Sequence, residues 1–286
     1  MAWIEALQRA IDYMEEHLLE DITIEEIARV ANSSPFHFQR TFSILTDSSV
    51  SEYMRRRRLT LAAHELGSTD VKIIDLALKY GYDTPEAFTK AFRRQHGISP
   101  SEARKFAGKL NSYGRLGIQV SLKGVEPMQY RVVELEAFEV IGVKESFSYA
   151  NGENTAGIPK MWGKANHDGT SDFLLCNNNG TVKGLLGVCV DQSKVKEKQM
   201  DYWVAAACDG ETPDGYSKME IPASRWAIFE VHGPMPDAIQ KVWKQIFTEW
   251  FPANGYQHAG TPDLEVYTAG NPTDPDYYSE VWIPVK

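Results

Sequence analysis

The sequence predicts an all-α double helix-turn-helix domain followed by an α+β domain with a duplicated strand-helix-strand-strand layout. Residues 1–107 show helical periodicity almost throughout, and one set of helix start signals occurs twice within them. After residue 118 the pattern changes to short alternating runs separated by helical segments. The polar, glycine-bearing stretch GKLNSYGRLG lies between the two patterns, so we place a linker at 108–117 and the second domain at 118–286.

Length and composition bound the class of protein. A chain of 286 residues can hold two domains with separate cores. No apolar run approaches the roughly 18 residues of a membrane helix, and the acidic N-terminal segment MAWIEALQRAIDYMEEHLLE lacks the shape of a signal peptide. Cys176, Cys189 and Cys208 lack metal spacing, and we interpret them as reduced core thiols. We therefore expect a cytoplasmic protein with no membrane partner, no cofactor and no metal.

The segment DITIEEIARVANSSPFHFQRTFSILTD carries the start and stop signals of two short helices. Thr23 and Glu26 form a capping box, which starts the first helix. Asn32 suits the left-handed position after its end, and Ser34 before Pro35 is a cap with proline at the first helical position. Two short helices joined by a tight turn predict a helix-turn-helix unit.

The same pattern recurs about fifty residues later, in KIIDLALKYGYDTPEAFTKAFRRQHGISPSEARK. Gly81 takes the turn position, and Thr84 before Pro85 repeats the cap with its proline. Phe88 and Phe92 repeat the spacing of two phenylalanines in the first unit. The string SPSE then forms a capping box for a closing helix. A second helix-turn-helix unit follows from these matches.

Basic side chains gather on and beside the second helix of each unit, although the whole chain has a net charge of −9. Residues 87–107 carry five Lys or Arg against one acid, Glu102. The run Arg55–Arg58 covers every side of a helix, so we expect at least one of these arginines to pair with an acid such as Glu52 or Asp75. The remaining basic charge predicts a face for a phosphate backbone.

The strings IARVANSSPFHFQRTF, SEYMRRRRLTLAAHEL and IIDLALKYGYDTPEAFTKAFRRQHGISPSEARK together resemble the AraC/XylS transcription-regulator DNA-binding domain. The resemblance implies that the helices opening at Pro35 and Pro85 each enter a major groove of one asymmetric site on double-stranded DNA. The residues that would face bases are Phe36, Gln39, Arg40, Pro85, Glu86, Thr89 and Lys90. Those that would hold phosphate are Thr84, Arg93 and Arg94.

The chemistry of several implied contacts agrees with base reading. Arg40 can bond guanine bidentately, Gln39 can bond adenine, and Glu86 can accept from the cytosine amino group. Phe36 offers only contact with a thymine methyl group or with sugars, and Pro85 departs from the polar residues often found at its position. The alternative interpretation is that these side chains form ordinary solvated helix faces.

The second domain reads as strand, helix, strand, strand, and then the same order again. The first half comprises FEVIGVKESFSY, the partly helical PKMWGKANHDGTSDFLLCNN, and the strand pair GLLGVCVD and DYWVAAACDG. The second half comprises RWAIFEVHG, the amphipathic helix MPDAIQKVWKQIFTEWF, and the strands DLEVYTAG and YYSEVWIPVK. Hairpin-like strand pairs after each helix favour a largely antiparallel sheet.

The last strand, YYSEVWIPVK, carries a glutamate between two aromatic residues. Tyr278, Glu280 and Trp282 are expected to share one face of the strand. A carboxylate between rings suits a delocalised cation, through Coulomb attraction and cation–π contact. The alternative is a wet strand face on which the glutamate is incidental.

The strings RWAIFEVHG and SEVWIPVK, with the helix between them, resemble the GyrI-like effector-binding domain, a pseudo-twofold repeat that clasps a small molecule. Behind an AraC-type reader, this arrangement is similar to the Rob-type regulators. The resemblance implies that Glu280 lies in the cavity and that the ligand is lipophilic or cationic. The candidate wall residues are Tyr149, Trp162, Phe173, Trp203, Trp226, Tyr267, Tyr278 and Trp282.

We therefore predict a sequence-specific transcription regulator that senses a small molecule and is not an enzyme. RNA polymerase is a further candidate partner. Two alternatives stay open for the second domain: a hydrolase, as some GyrI-like proteins are, or a protein-interaction module of the gyrase-inhibitor kind. The sequence offers the hydrolase no nucleophile elbow, phosphate loop or metal motif.

Overall fold

The computed structural model describes residues 2–105, 109–118, 128–148, 153–191 and 199–286. The chain forms two compact units. The helical unit contains Ala2–Pro35 and Ser48–Ser121, and the sheet-bearing unit contains Phe36–Asp47 and Leu122–Lys286. The segment Phe36–Asp47 was predicted to belong to the helical domain, and it contacts the sheet-bearing unit instead. The predicted bounds at 1–107, 108–117 and 118–286 stay a proposal.

Seven helices are described before the sheet begins. They are α1 (Ala2–Glu16), α2 (Ile24–Val30), α3 (Pro35–Thr46), α4 (Val50–Ser68), α5 (Ile73–Lys79), α6 (Pro85–His96) and α7 (Pro100–Lys105). All except α3 lie in the helical unit.

Local signals start and stop these helices where the sequence predicts. The Thr23 side chain accepts from the Glu26 amide, and the Glu26 carboxylate accepts from the Thr23 amide, which confirms the first capping box. Thr84 caps α6 with Pro85 at its start. Asn32 has a φ of 52°, so it occupies the predicted left-handed position.

The four arginines of α4 all have partners. Arg55 and Arg56 both pair with Glu52 at 2.6 Å, as expected for one of the two named acids. Arg57 pairs with Glu15 of α1 at 2.7 Å, and the fourth arginine donates to backbone carbonyls. This basic run therefore ties helices together within the helical unit.

The described part of the sheet-bearing unit is built on one eight-stranded sheet. Its strands are β1 (Tyr130–Leu135), β2 (Phe138–Ser148), β3 (Leu185–Asp191), β4 (Gln199–Ala207), β5 (Ser217–Ile221), β6 (Ser224–His232), β7 (Asp263–Tyr267) and β8 (Tyr278–Val285). Its helices are α8 (Glu153–His167), α9 (Thr170–Cys176), α10 (Asp237–Gln245) with a π-helical turn (Ile246–Trp250), and the short α11 (Phe251–Ala253).

The strand order is β1-β6-β8-β7-β3-β4-β2-β5, and every described pairing is antiparallel. The order is symmetric about the junction of β7 and β3, because β6, β8 and β7 mirror β2, β4 and β3. The predicted duplicated layout is therefore confirmed. The strands β1 and β5, one added at each edge, were not predicted as separate strands.

Alternation gives the sheet two distinct faces. One face carries Tyr202 and Cys189 and packs with Met161 of α8, Leu174 of α9 and Phe36 of α3. The opposite face carries an apolar cluster that includes three tryptophans, Trp203, Trp226 and Trp282. The face to which a strand residue points therefore decides which cluster it joins.

Two further expectations concern cysteines and membranes. All three cysteines are free, and Cys189 and Cys208 are buried, but Cys176 is exposed, so the prediction of a core thiol is wrong there. Cys176 is the last residue of α9, where the helix ends at the surface. No helix in the described part of the chain has both the length and the apolar composition to cross a bilayer.

Candidate functional site

A glutamate with three ring-bearing donors lies at the symmetric centre of the sheet. Glu265 of β7 pairs with Gly187 of β3 across the junction between the two halves. Its carboxylate accepts from the Trp243 indole at 2.8 Å, from the Tyr267 hydroxyl at 3.0 Å and from the Tyr202 hydroxyl at 3.2 Å. We call Glu265, Tyr202, Tyr267, Trp243 and Trp162 the cage.

Trp162 joins the cage through Tyr202. Its indole donates to the Tyr202 hydroxyl at 2.8 Å, and its ring meets the edge of Tyr267 with the centroids 4.9 Å apart. Burial raises the pKa of both tyrosines well above the ordinary value, and the nearby Glu265 charge acts in the same direction. Both phenols therefore stay protonated donors at neutral pH.

The positively charged guanidinium of Arg40, on α3, lies beside the cage. It lies 2.8 Å from the Asp263 carboxylate and 3.8 Å from Glu265, and its central carbon lies 4.0 Å from the centre of the Trp243 ring. The Arg40 side chain is only 14% exposed and that of Asp263 only 3%, so water screens the pair little. A cation held by carboxylates and an indole face therefore already occupies this site.

The charges of this pair stabilise each other. Burial alone would raise the pKa of Asp263, but the charges at His258 and Arg40 outweigh burial and lower it to about 2. Burial alone would lower the pKa of Arg40, and surrounding negative groups, including Asp263 and Glu265, raise it instead. Both groups are therefore ionised throughout the physiological range.

His37, His258 and Asp263 form the group in the described chain whose ligand atoms could hold a metal ion, within 4.8 Å of one another. His258 Nε2 lies 2.6 Å from one Asp263 oxygen, and Arg40 takes the other. A metal would have to displace one of these partners and would meet the Arg40 charge, so the geometry favours an ion pair over a metal centre.

Glu280 lies on the opposite face of the sheet from the cage. It pairs with Val266, whereas Glu265 pairs with Val281, and alternation sends the two carboxylates to opposite sides. Glu280 is buried and accepts from Tyr278, Trp282 and Arg131. The predicted shared face of Tyr278, Glu280 and Trp282 is thus present, but its carboxylate is satisfied by neighbours of its own.

The structure puts the other predicted wall residues in different parts of the sheet-bearing unit. Trp162 and Tyr267 lie in the cage. Trp203 and Trp226 belong to the apolar cluster on the opposite face, and Phe173 of α9 stacks on Tyr216. Tyr149 lies outside the described residues. The ligand contacts of these residues stay predictions.

Sequence reasoning missed Glu265, Tyr202, Trp243 and Asp263. The string DLEVY carries the same alternation of charge and ring that drew attention to Glu280, with Asp263, Glu265 and Tyr267 on one face. The signal was therefore present in β7, and only the position of β7 at the sheet centre distinguishes it from β8.

The outer face of α6 is accessible, as a DNA-reading helix requires. Glu86, Lys90, Arg93 and Arg94 are exposed. Predicted residues also line an open recess on this helix: Pro85, Glu86, Thr89, Lys90 and Arg93. Thr84 is exposed, and its side chain caps the helix by accepting from the Ala87 amide.

The matching face of α3 is not accessible. Phe36 is 7% exposed and lies in a core cluster of the sheet-bearing unit, and Gln39 is 6% exposed. Arg40 is paired with Asp263. The three residues predicted to read the first groove are therefore all covered in this state, whereas those of α6 are displayed.

Two family models match the chain. The GyrI-like small molecule binding domain matches residues 128–286, and a helix-turn-helix domain matches residues 27–105. The structure of SAV2435 bound to tetraphenylphosphonium superposes with a TM-score of 0.51 at 26% identity, over 56% of this chain and 94% of that chain. The sheet-bearing unit, which we call the ligand-binding unit from here on, is thus similar to a protein whose structure contains tetraphenylphosphonium.

The chain is also similar to curated proteins. The uncharacterized HTH-type transcriptional regulator YbfP of Bacillus subtilis is 40% identical over 112 residues, and this chain spans only 38% of its length. The right origin-binding protein of Escherichia coli is 30% identical over 210 residues, which are 71% of this chain and 68% of that protein. The chain therefore belongs to the AraC-type helix-turn-helix transcription regulators that carry a C-terminal GyrI-like small molecule binding domain.

Proposed function

We propose that this regulator responds to a lipophilic cation, which binds in the cage around Glu265. The observation that carries the proposal is the cage itself, in which one carboxylate meets two phenols and an indole, with a guanidinium already stacked on Trp243. Aromatic faces around a carboxylate attract a delocalised cation strongly when water is excluded. The SAV2435 complex with tetraphenylphosphonium supports the same ligand class.

The same proposal covers the DNA contacts and the absence of catalysis. Residues of α3 and α6 read two successive grooves, with Arg40, Gln39 and Glu86 as the base-reading side chains. The Glu265 carboxylate is engaged by three donors, which suits binding better than proton transfer. Because the chain acts on DNA, we place it in the cytoplasm, and RNA polymerase stays a predicted partner.

Isothermal titration calorimetry of the full chain with tetraphenylphosphonium tests the effector class. We expect Glu265→Gln to weaken binding about tenfold or more, which corresponds to about 1.4 kcal/mol. Glu280→Gln is the matched variant, because it makes the same change on the other face and should bind like wild type. A neutral probe of similar shape, triphenylphosphine oxide, should bind more weakly than the cation.

Two other results would contradict this proposal, one by moving the anchor and one by indicating catalysis. If Glu280→Gln weakens binding and Glu265→Gln does not, the anchor lies on β8 and the cage proposal is wrong. If the cation is chemically converted, and Glu265→Gln stops the conversion, the domain is an enzyme. Mass spectrometry of the compound recovered after incubation separates binding from turnover.

A further inference from the structure

We propose that Arg40 is an internal ligand of the cage, so that the first DNA-reading helix is held in the ligand-binding unit until an effector cation replaces its guanidinium. The inference rests on the proposed function for the identity of the replacing cation. The docking of Arg40 itself rests on contacts within one compact unit.

The contacts of Arg40 are those that a bound cation would make. One carboxylate pairs with the guanidinium at 2.8 Å, a second lies at 3.8 Å, and the Trp243 face lies 4.0 Å from its central carbon. Trp243 in turn donates to Glu265, so the ring that receives Arg40 is fixed by the cage carboxylate. An effector that binds Glu265 and Trp243 therefore competes for the surface on which Arg40 rests.

Two neighbours of Arg40 on α3 also pack in the ligand-binding unit, so the docking involves more of the helix than one side chain. Phe36 packs in the core cluster with residues of β3, β4 and α8. His37 lies over His258, with the ring centroids 4.3 Å apart, and also meets Phe247. An apolar side chain, an imidazole and a guanidinium from one turn of α3 thus enter the same unit.

Charge explains why release of Arg40 requires a replacement. The side chains of Asp263 and Glu265 are 3% and 12% exposed. If Arg40 leaves, two poorly solvated carboxylates lose their guanidinium partner, which is unfavourable in a low-dielectric site. A cation that enters restores the balance, so ligand binding and release of α3 favour each other.

The consequence for DNA follows from burial. Phe36 and Arg40 cannot face bases while they are held in the ligand-binding unit, and Gln39 is only 6% exposed. The docked state therefore displays α6 alone, and the effector-bound state displays both reading helices. The two states differ in which partner holds Arg40, a carboxylate pair or a base.

Hydrogen exchange of the full chain, without ligand, tests the docking directly. Amides within Phe36–Asp47 should exchange at least several-fold faster in Arg40→Gln than in wild type, and Arg40→Lys should lie between them. Arg29→Gln, an exposed arginine of α2 with the same loss of charge, should leave α3 exchange as in wild type. Equal exchange of α3 in wild type and Arg40→Gln overturns the inference, provided that both melt cooperatively.

A second perturbation protects this test against a folding defect in one variant. The double variant Asp263→Asn with Glu265→Gln removes the negative charge of both partners and keeps Arg40. It should also speed exchange of α3, while the α6 amides of Pro85–His96 stay as in wild type. If only Arg40→Gln speeds α3 exchange, the effect belongs to the helix itself and the internal-ligand idea is wrong.

Tetraphenylphosphonium provides the competition arm. Saturating cation should speed α3 exchange in wild type, and Arg40→Gln should bind the cation about tenfold more tightly if α3 is docked in about nine molecules of ten. Cation binding that leaves α3 protected overturns the inference. Failure of every variant to bind this cation refutes the proposed effector class, and the ligand-free exchange still decides whether Arg40 is docked.

Discussion

Gly187 lies directly against the hydroxyl of Tyr202. A methyl group at this position would lie 2.3 Å from the hydroxyl oxygen and 3.0 Å from the Glu265 carboxylate. Only a residue without a side chain lets the tyrosine reach across β3 to the glutamate. The cage therefore depends on glycine at position 187, which has no Cβ atom to block the tyrosine.

Gly187→Ala should damage the cage and weaken cation binding about tenfold or more, because Tyr202 or Glu265 has to move. Overpacking at a buried site costs about 1–3 kcal/mol, so a lower free energy of unfolding is also expected. Calorimetric titration with tetraphenylphosphonium and urea denaturation measure the two effects. Gly67→Ala, in a helix with open space around it, should leave cation binding unchanged and raise stability by about 0.5–1 kcal/mol. Full affinity in Gly187→Ala would contradict the assigned cage.

Lys90→Ala should weaken binding to selected DNA by about 1–3 kcal/mol and relax the preference at one base position, because Lys90 is predicted to face bases. If Lys90 lies at phosphate instead, the loss should be similar for all DNA sequences, and the slope of log affinity against log salt should fall by about 1. Fluorescence anisotropy with DNA selected from a random pool, at several salt concentrations, distinguishes these outcomes. Lys79→Ala is the control, since Lys79 pairs with Glu65 at 2.7 Å. Unchanged affinity in Lys90→Ala would show that α6 does not read DNA through this side chain.

Glu15 gives the helical unit a predictable pH dependence. Burial alone would raise the pKa of Glu15, but hydrogen bonds from Arg57 and Tyr53 hold it below the ordinary value. Because the folded pKa is depressed, the stabilising contribution is complete above the unfolded pKa and is lost as the pH falls through the folded one. Wild type should therefore lose more stability than Glu15→Gln between pH 6 and pH 3, measured by urea denaturation.

The matched control for this prediction is Glu5→Gln, an exposed side chain on the same helix. It should follow the wild-type pH curve. If Glu15→Gln also follows that curve, the carboxylate contributes nothing through its ionised form.

DNA and cation should strengthen each other's binding. Saturating tetraphenylphosphonium should raise the affinity of wild type for selected DNA, and that DNA should raise the affinity for the cation by the same factor, because coupling of equilibria is reciprocal. Anisotropy and calorimetry measure the two sides. Glu265→Gln should lose the coupling along with the cation. A cation that binds without any effect on DNA affinity would separate the two activities.

The local signals that start and end helices in this chain can be recognised without a structure. Thr23 with Glu26, Asn32, and Thr84 with Pro85 act within a few residues, and each behaves as its chemistry predicts. The strand-helix-strand-strand duplication is also readable, because alternation and helical periodicity differ over short windows. Element type and order follow from such signals.

The centre of the site is harder to predict, because it depends on contacts between distant residues. Arg40 and Asp263 are 223 residues apart, and no local pattern links them. Glu265 and Glu280 carry similar sequence signals, and only strand order puts β7 at the junction of the halves. The helix α3 reads as a DNA-facing element because its sequence repeats that of α6, whereas its burial depends on a surface contributed by β7 and α10.

The symmetric strand order also constrains how ligand preference can change over evolutionary time. Tyr202 comes from the first repeat, and Glu265, Tyr267 and Trp243 come from the second, yet all meet at one carboxylate. A substitution that enlarges or repolarises one repeat alters the contacts made by the other. A change of effector preference that alters one repeat therefore has to be accommodated by residues of the other.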